Sequence, residues 1–137
     1  MSKISGPLLD RIDIQIEVPS LSFEDLADTT PAESSASIRE RVNQARAFAR
    51  KRFEKDGKSL FSNSAMQAPD IRTYCRLDDS ASALLRAAFD SMGLSARGHD
   101  RILRVARTVA DLQGSEQITA AHIAEAIQLR SLDRKYW

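Results

Sequence analysis

The chain has 137 residues, of which 42% are hydrophobic and 28% charged, and its formal net charge is +1. That length supports one modest core; the single cysteine, Cys75, excludes an intramolecular disulfide and is expected to be a buried, inert thiol, and two histidines do not make a zinc cluster. No apolar run reaches the roughly 18 residues that would span a bilayer, and no secretory segment follows Met1, so no membrane association and a cytoplasmic location are expected.

Near the start of the chain stands Ile4-Ser5-Gly6-Pro7-Leu8-Leu9-Asp10-Arg11. Pro7 suits the first position of a short helix, where its missing N–H costs nothing, and Gly6 lets the backbone turn into it. Ile12, Ile14, Ile16 and Val18 then alternate with Asp13, Gln15 and Glu17 until Pro19, the pattern of a half-buried strand. No other segment reads as a strand, and one strand cannot satisfy its own ladder. Its sheet partners are expected outside this sequence, the chain reads as a C-terminal fragment, and the arm before Ser34 is expected to be mobile. Arg11 falls at the helix-to-strand corner, where it either pairs with Asp10 or Asp13 or presents a planar, permanently charged guanidinium to phosphate oxygens.

Residues 20–33 are polar and acidic and contain Thr29-Thr30-Pro31, which marks a linker and the domain boundary. The first long helix is expected to begin between Ser34 and Ser37, with Ser37-Ile38-Arg39-Glu40 as a capping box. Its apolar stripe is Ile38, Val42, Ala45, Ala49 and Phe53, assigned to core packing, and Asp56-Gly57 ends it. Charge changes sign here. Residues 1–33 carry two basic and seven acidic groups, a net −5, whereas residues 34–58 carry eight basic and three acidic, a net +5. Arg46, Arg50, Lys51 and Arg52 form the densest cationic patch, able to meet a DNA backbone or to be simply solvated; no interleaved aromatic platform supports base readout.

After an irregular stretch over 60–69, Asp70 is expected to cap a short helix carrying Ile71, Tyr74 and Cys75. A further helix starts at Asp79 or Ser80, turns Ala81, Leu84, Leu85, Ala88 and Phe89 inward, and stops at Gly93. Ser95 caps the next helix, which runs to Gly114 with Ile102, Val105, Ala106 and Val109 on one face. Arg97 stands in its first turn, where the helix dipole disfavours a cation by about 0.3–1 kcal/mol. Either Asp100 three residues on or a bound phosphate would offset that. Arg101, Arg104 and Arg107 are assigned to the solvated side, with Arg104 aligned with Arg97 as a possible further phosphate contact. Thr119 caps the last helix, with Ile118 and Ile123 as a hydrophobic staple.

There is no G-x-x-x-x-G-K-[ST] phosphate loop and no apolar strand ending in paired acids, so the chain alone should neither bind nor hydrolyse ATP measurably. Several blocks nevertheless form a pattern in order: Ile4 through Ile14, Glu33 through Val42, Leu94 through Leu112, His122-Ile123-Ala124-Glu125-Ala126-Ile127, and Leu132-Asp133-Arg134. Together they resemble the C-terminal region of the magnesium-chelatase-like AAA+ ATPases, particularly the ComM/YifB competence branch.

The resemblance implies a mainly α fold, a small helical lid bundle over 34–137, joined by the 20–33 linker to residues 1–19, which would be the end of the ATPase α/β core. It implies that Arg11 is an arginine finger acting on a neighbouring subunit's nucleotide and that Arg97 is the sensor-two arginine. ATP and Mg2+ would belong to the intact protein, a homo-oligomeric ring of hexameric type including the missing N-terminal core. That ring would remodel DNA by branch migration in natural transformation, or drive metal insertion into a porphyrin as chelatase motors do. Two readings of another kind stand beside these: a stand-alone helical nucleic-acid-binding module, revealed by steeply salt-dependent binding, and a regulatory domain indifferent to both ATP and DNA.

Overall fold

A computed structural model of the chain describes residues 4–130; the Leu132-Asp133-Arg134 block lies outside them. Seven α-helices are present among the described residues: α1 (Gly6–Leu9), α2 (Phe23–Ala27), α3 (Ser35–Lys55), α4 (Ala68–Tyr74), α5 (Asp79–Met92), α6 (Ala96–Leu112) and α7 (Ala120–Gln128). The fold is a helical bundle. None of these helices is long and apolar enough to cross a membrane.

Helix α6 is its axis. Ser95 Oγ accepts the N–H of Gly98 at 3.0 Å, starting the helix where expected. From there Ile102, Leu103, Val105, Ala106, Val109 and Ala110 recur at i, i+3 and i+4 and are all buried. The fully buried Ala106 and Ala110 let neighbouring helices approach closely, and α6 packs against α3, α4 and α7. Gly93 ends α5 in the left-handed conformation (φ 61°), which costs a glycine little. In α7 the N–H of Thr119 is accepted by His122 Nδ1 at 3.0 Å, so the proton of this imidazole lies on Nε2, which donates to Gln113 Oε1 at 2.8 Å. Ile118 and Ile123 are buried as the staple requires. Cys75 is buried too, and burial pushes its thiol up to about 11, leaving little thiolate at neutral pH.

Several boundaries differ from expectation. Helix α3 is capped by Ser34, whose Oγ accepts the N–H of Ser37 at 3.1 Å, rather than by a box at Ser37. Helix α4 begins before Asp70; that carboxylate sits at the third helical position and accepts the N–H of Gln67 at 2.9 Å. Residues 20–33 are not wholly irregular, since Ser22 and Asp25 close a reciprocal capping box over α2. Phe89 is exposed rather than inward, and Ile38 and Val42 are exposed because α3 outruns the bundle: only its second half, Ala45, Ala49 and Phe53, reaches the core.

The first segment departs furthest. Among the described residues the expected strand reduces to one parallel bridge, Gln15 with Arg130, in which the N–H of Gln15 donates to the carbonyl of Leu129 at 2.6 Å. Its faces are reversed: Gln15 is buried, while Ile12, Ile14, Ile16 and Val18 point outward. The segment is tethered rather than loose, because Gln15 Nε2 also donates to the carbonyl of Leu9 at 2.9 Å and Leu9 is buried. Successive amides of an extended strand point to opposite edges. Hydrogen exchange should therefore find the Gln15 amide slow and those of Ile14 and Ile16 fast; equal protection of all three would mean that the second edge is also paired.

Candidate functional site

Helix α1 winds tightly into its exit. The N–H of Asp10 donates to the carbonyl of Gly6 at 2.9 Å, that of Arg11 to Leu8 at 3.0 Å and that of Ile12 to Leu9 at 3.0 Å, after which the chain extends. Four contacts then fasten this corner to the bundle. Asp10 accepts Ser95 Oγ at 3.1 and 3.2 Å and lies 3.8 Å from Arg130 Nη2. Asp13 pairs with Arg101, and Arg130 Nη1 donates to the carbonyl of Ile12 at 2.9 Å.

These contacts decide what surrounds Arg11. Its two neighbouring carboxylates, the partners of the structural reading, are turned to α6 and to Arg130 instead. Arg11 itself is exposed and makes no side-chain hydrogen bond or ion pair among the described residues. The same holds for Arg97, exposed in the first turn of α6. Asp100, the local partner considered for it, is contacted by His99 Nδ1 at 3.2 Å. The Asp10–Ser95 contact brings the corner carrying Arg11 beside the turn carrying Arg97.

The start of α6 is already provided with an anion. A Cβ built on Gly98 would stand 3.6 Å from Asp10 Oδ1, so this carboxylate overlies the first turn. Asp10 thus offsets the unfavourable placement of Arg97 against the helix dipole, the role assigned above to Asp100 or a phosphate. Arg97 remains available to a ligand through its side chain.

The remaining arginines of α6 are not solvated. Arg101 is held by Asp13. Arg104 is half-buried and donates through Nε and Nη2 to the carbonyl of Met66 at 3.2 and 2.8 Å. Arg107 is 2% exposed, with Nε 3.2 Å from Asp111 Oδ1 and its terminal nitrogens on the carbonyls of Ser115 and Glu116. Burial pulls the Arg107 guanidinium below its usual range while Asp111 opposes that shift. Arg52 also turns inward: its two terminal nitrogens each reach Asp111 at 2.7 Å, and one reaches Asn63 Oδ1 at 3.2 Å. Asn63 Nδ2 completes the cluster, donating to Asp111 Oδ2 at 2.8 Å and Thr108 Oγ1 at 3.0 Å. Of the expected cationic patch on α3, Arg46, Arg50 and Lys51 stay exposed.

The sequence reading missed this cluster, although the i, i+4 spacing of Arg107 and Asp111 on one helix was a signal for it. It also missed Asp10 and Asp13 as cross-links, since nothing local marks residues that meet partners 85 and 88 positions away. No group of three His, Cys, Asp or Glu side chains able to hold a metal occurs among the described residues.

The sequence of this helical bundle matches a known family. Residues 32–130 match the C-terminal domain of the magnesium chelatase ChlI subunit, and residues 1–26 match the magnesium chelatase ChlI subunit family, so the chain belongs to the magnesium chelatase ChlI family. Its similarity lies with the ComM/YifB branch. It is 40% identical to the competence protein ComM of Haemophilus influenzae over 98% of its length and 37% identical to the uncharacterized protein YifB of Escherichia coli over 98%. It is 35% identical to the uncharacterized protein Rv2897c of Mycobacterium tuberculosis over 95%. The chain spans about a quarter of the length of these relatives, 25%, 26% and 25% respectively.

Proposed function

We propose that this chain is the lid portion, with the end of the core, of a ring-forming AAA+ ATPase whose phosphate loop and magnesium ligands lie in sequence preceding it. The observation that carries the reading is the pair of exposed guanidiniums, Arg11 and Arg97, unpaired among the described residues at one end of the bundle while the carboxylates beside them are engaged elsewhere. An uncompensated arginine fits the oxygens of a polyphosphate, to which it can donate in a planar fork. Mg2+ would be held by the preceding core, since the described residues offer no ligand cluster.

In this reading Arg11 stabilises the charge that develops on the γ-phosphoryl group in a neighbouring subunit's site, and Arg97 contacts the phosphates in the ground state as well. Arg104, tied to a backbone carbonyl, is given a structural task. The work of the ring is DNA remodelling by branch migration during natural transformation; the 40% identity to a competence protein supports this over porphyrin metallation.

The test is made on the full-length protein. Arg97→Ala is expected to weaken ATP affinity about tenfold, as loss of one charge-assisted contact implies, and to reduce nucleotide-dependent assembly together with turnover. Unchanged nucleotide affinity and assembly would remove Arg97 from the site. Turnover by the isolated 137-residue chain, abolished by a single substitution within it, would overturn the reading altogether.

A further inference from the structure

The bundle takes up one side of α3, through Ala45, Ala49 and Phe53, and leaves a polar row unused beside it. Arg39, Asn43, Arg46 and Arg50 recur at i, i+4, i+7 and i+11, which puts them on one face of the helix. All four are exposed, and none has a side-chain partner among the described residues. Other arginines of this helix are paired: Arg41 with Glu33 and Arg52 with Asp111. Local acids do not neutralise the row. Glu40 lies off it and accepts Gln44 Nε2 at 3.0 Å, and Glu54, one turn beyond Arg50, forms no ion pair among the described residues. Arg46 and Arg50 stand one turn apart, a like-charge spacing that weakens a helix unless an anion lies over it.

The other free cations of α3 have different surroundings. Lys51 and Lys55 stand roughly 100° or more round the helix from the row, at 100° per residue, and open on a cleft of about 420 Å³ that Phe48 and Tyr74 also line. Asp56 and Glu116 line that cleft too, so its charge is nearly balanced. The row contains no acid and no aromatic. What fits it is a regular line of anions: guanidinium forks donate to phosphate oxygens, and the Asn43 amide can donate between them. From Arg39 to Arg50 the row runs about 16 Å at 1.5 Å per residue, a length over which one strand of a duplex presents about five phosphates.

We propose that the face formed by Arg39, Asn43, Arg46 and Arg50 is a docking surface for the phosphate backbone of duplex DNA, each arginine neutralising one phosphate. Such contacts fix the position of the duplex and carry no sequence information, so binding is independent of sequence. A single strand would draw on a stacking platform, which the row lacks. The surface differs from the cationic patch expected on α3: Arg46 and Arg50 belong to it and Arg39 joins them, while Arg52 is withdrawn to Asp111 and Lys51 faces the balanced cleft. The inference deepens the DNA reading above and rests on it for DNA as the polyanion, but it stands whether or not Arg11 and Arg97 contact nucleotide.

The test titrates a fluorescent DNA duplex with the 137-residue chain and reads anisotropy. Affinity is expected to fall with salt at a log–log slope of about −2.7, the value for three neutralised phosphates, which is a loss of about 40-fold between about 50 and 200 mM. Arg39→Gln, Arg46→Gln and Arg50→Gln should each make the slope shallower by about 0.9 and weaken binding alike on unrelated sequences. Their urea midpoints should match the parent, because all three positions are exposed. In the full-length protein the triple variant is expected to bind duplex at least about tenfold more weakly while turning over ATP at the parent rate without DNA. The proposal is overturned if the chain shows no saturable duplex binding at about 50 mM salt, if the slope is unchanged in the triple variant, or if Lys51→Gln/Lys55→Gln flattens it as much. Tighter binding of a single strand that Phe48→Ala weakens would put a strand on the cleft instead, and equal competition by polyglutamate would make the partner an acidic peptide; either result overturns it. Full-length protein that binds no DNA would overturn the DNA reading and the row together, whereas duplex binding that survives the triple variant overturns the row alone.

Discussion

Replacing Arg11 by alanine in the full-length protein is expected to leave ATP affinity within about threefold of the parent while slowing hydrolysis by roughly 10³-fold or more, the size associated with a finger acting on the transition state. The expectation follows from what Arg11 lacks. Deleting a guanidinium that holds no partner among the described residues should leave folding nearly untouched, so stability and turnover separate cleanly. Mixing Arg11→Ala subunits with subunits unable to bind ATP completes the experiment. A finger acting across a junction restores part of the activity wherever a competent site meets an intact Arg11. A lowered melting temperature with unchanged turnover per folded subunit would instead make Arg11 a structural residue of the corner.

The second large effect concerns stability. Asp111 is 3% exposed and accepts from Arg52, Asn63 and Arg107 together, so Asp111→Ala strands two guanidiniums, one of them fully enclosed. Breaking a buried ion pair by removing one partner costs about 3–5 kcal/mol, a large part of the total stability of a domain this size. In urea the unfolding midpoint should fall by more than about 1 M at ordinary slopes. Asp111→Asn, which keeps one carbonyl acceptor, should lose less. A shift below about 0.3 M for Asp111→Ala would show that solvent reaches the cluster and replaces the lost carboxylate.

The helical part of this fold was legible where the signals were local. Ser95, Thr119 and Gly93 act as the sequence reading assigned them, because caps and left-handed stops depend on a few adjacent residues. Periodicity located the buried face of α6 for the same reason. It failed on α3, where the stripe continues through Ile38 and Val42 although both are exposed. Spacing reports which residues share a face, not whether that face has a partner. The strand faces were reversed on related grounds: alternation separates Ile14 and Ile16 from Gln15, but only the tertiary contact to Leu129 decides which set turns to the bundle. Among the arginines, the sequence could list the candidates but not sort them. Arg11 and Arg97 stand apart from Arg52, Arg101 and Arg104 because remote acceptors, Asp111, Asp13 and the Met66 carbonyl, take up the latter three, whereas Arg107 has its acceptor Asp111 one turn away on the same helix.

The fastening of Asp10 to Ser95, of Asp13 to Arg101 and of the Ile12 carbonyl to Arg130 makes the corner and the start of α6 one mechanical piece. A bundle that tilts cannot leave Arg11 behind. A ligand that shifted Arg97 at the start of α6 would therefore be expected to shift Arg11 with it, through three polar clasps, and loosening any one of them would let the two guanidiniums drift out of step.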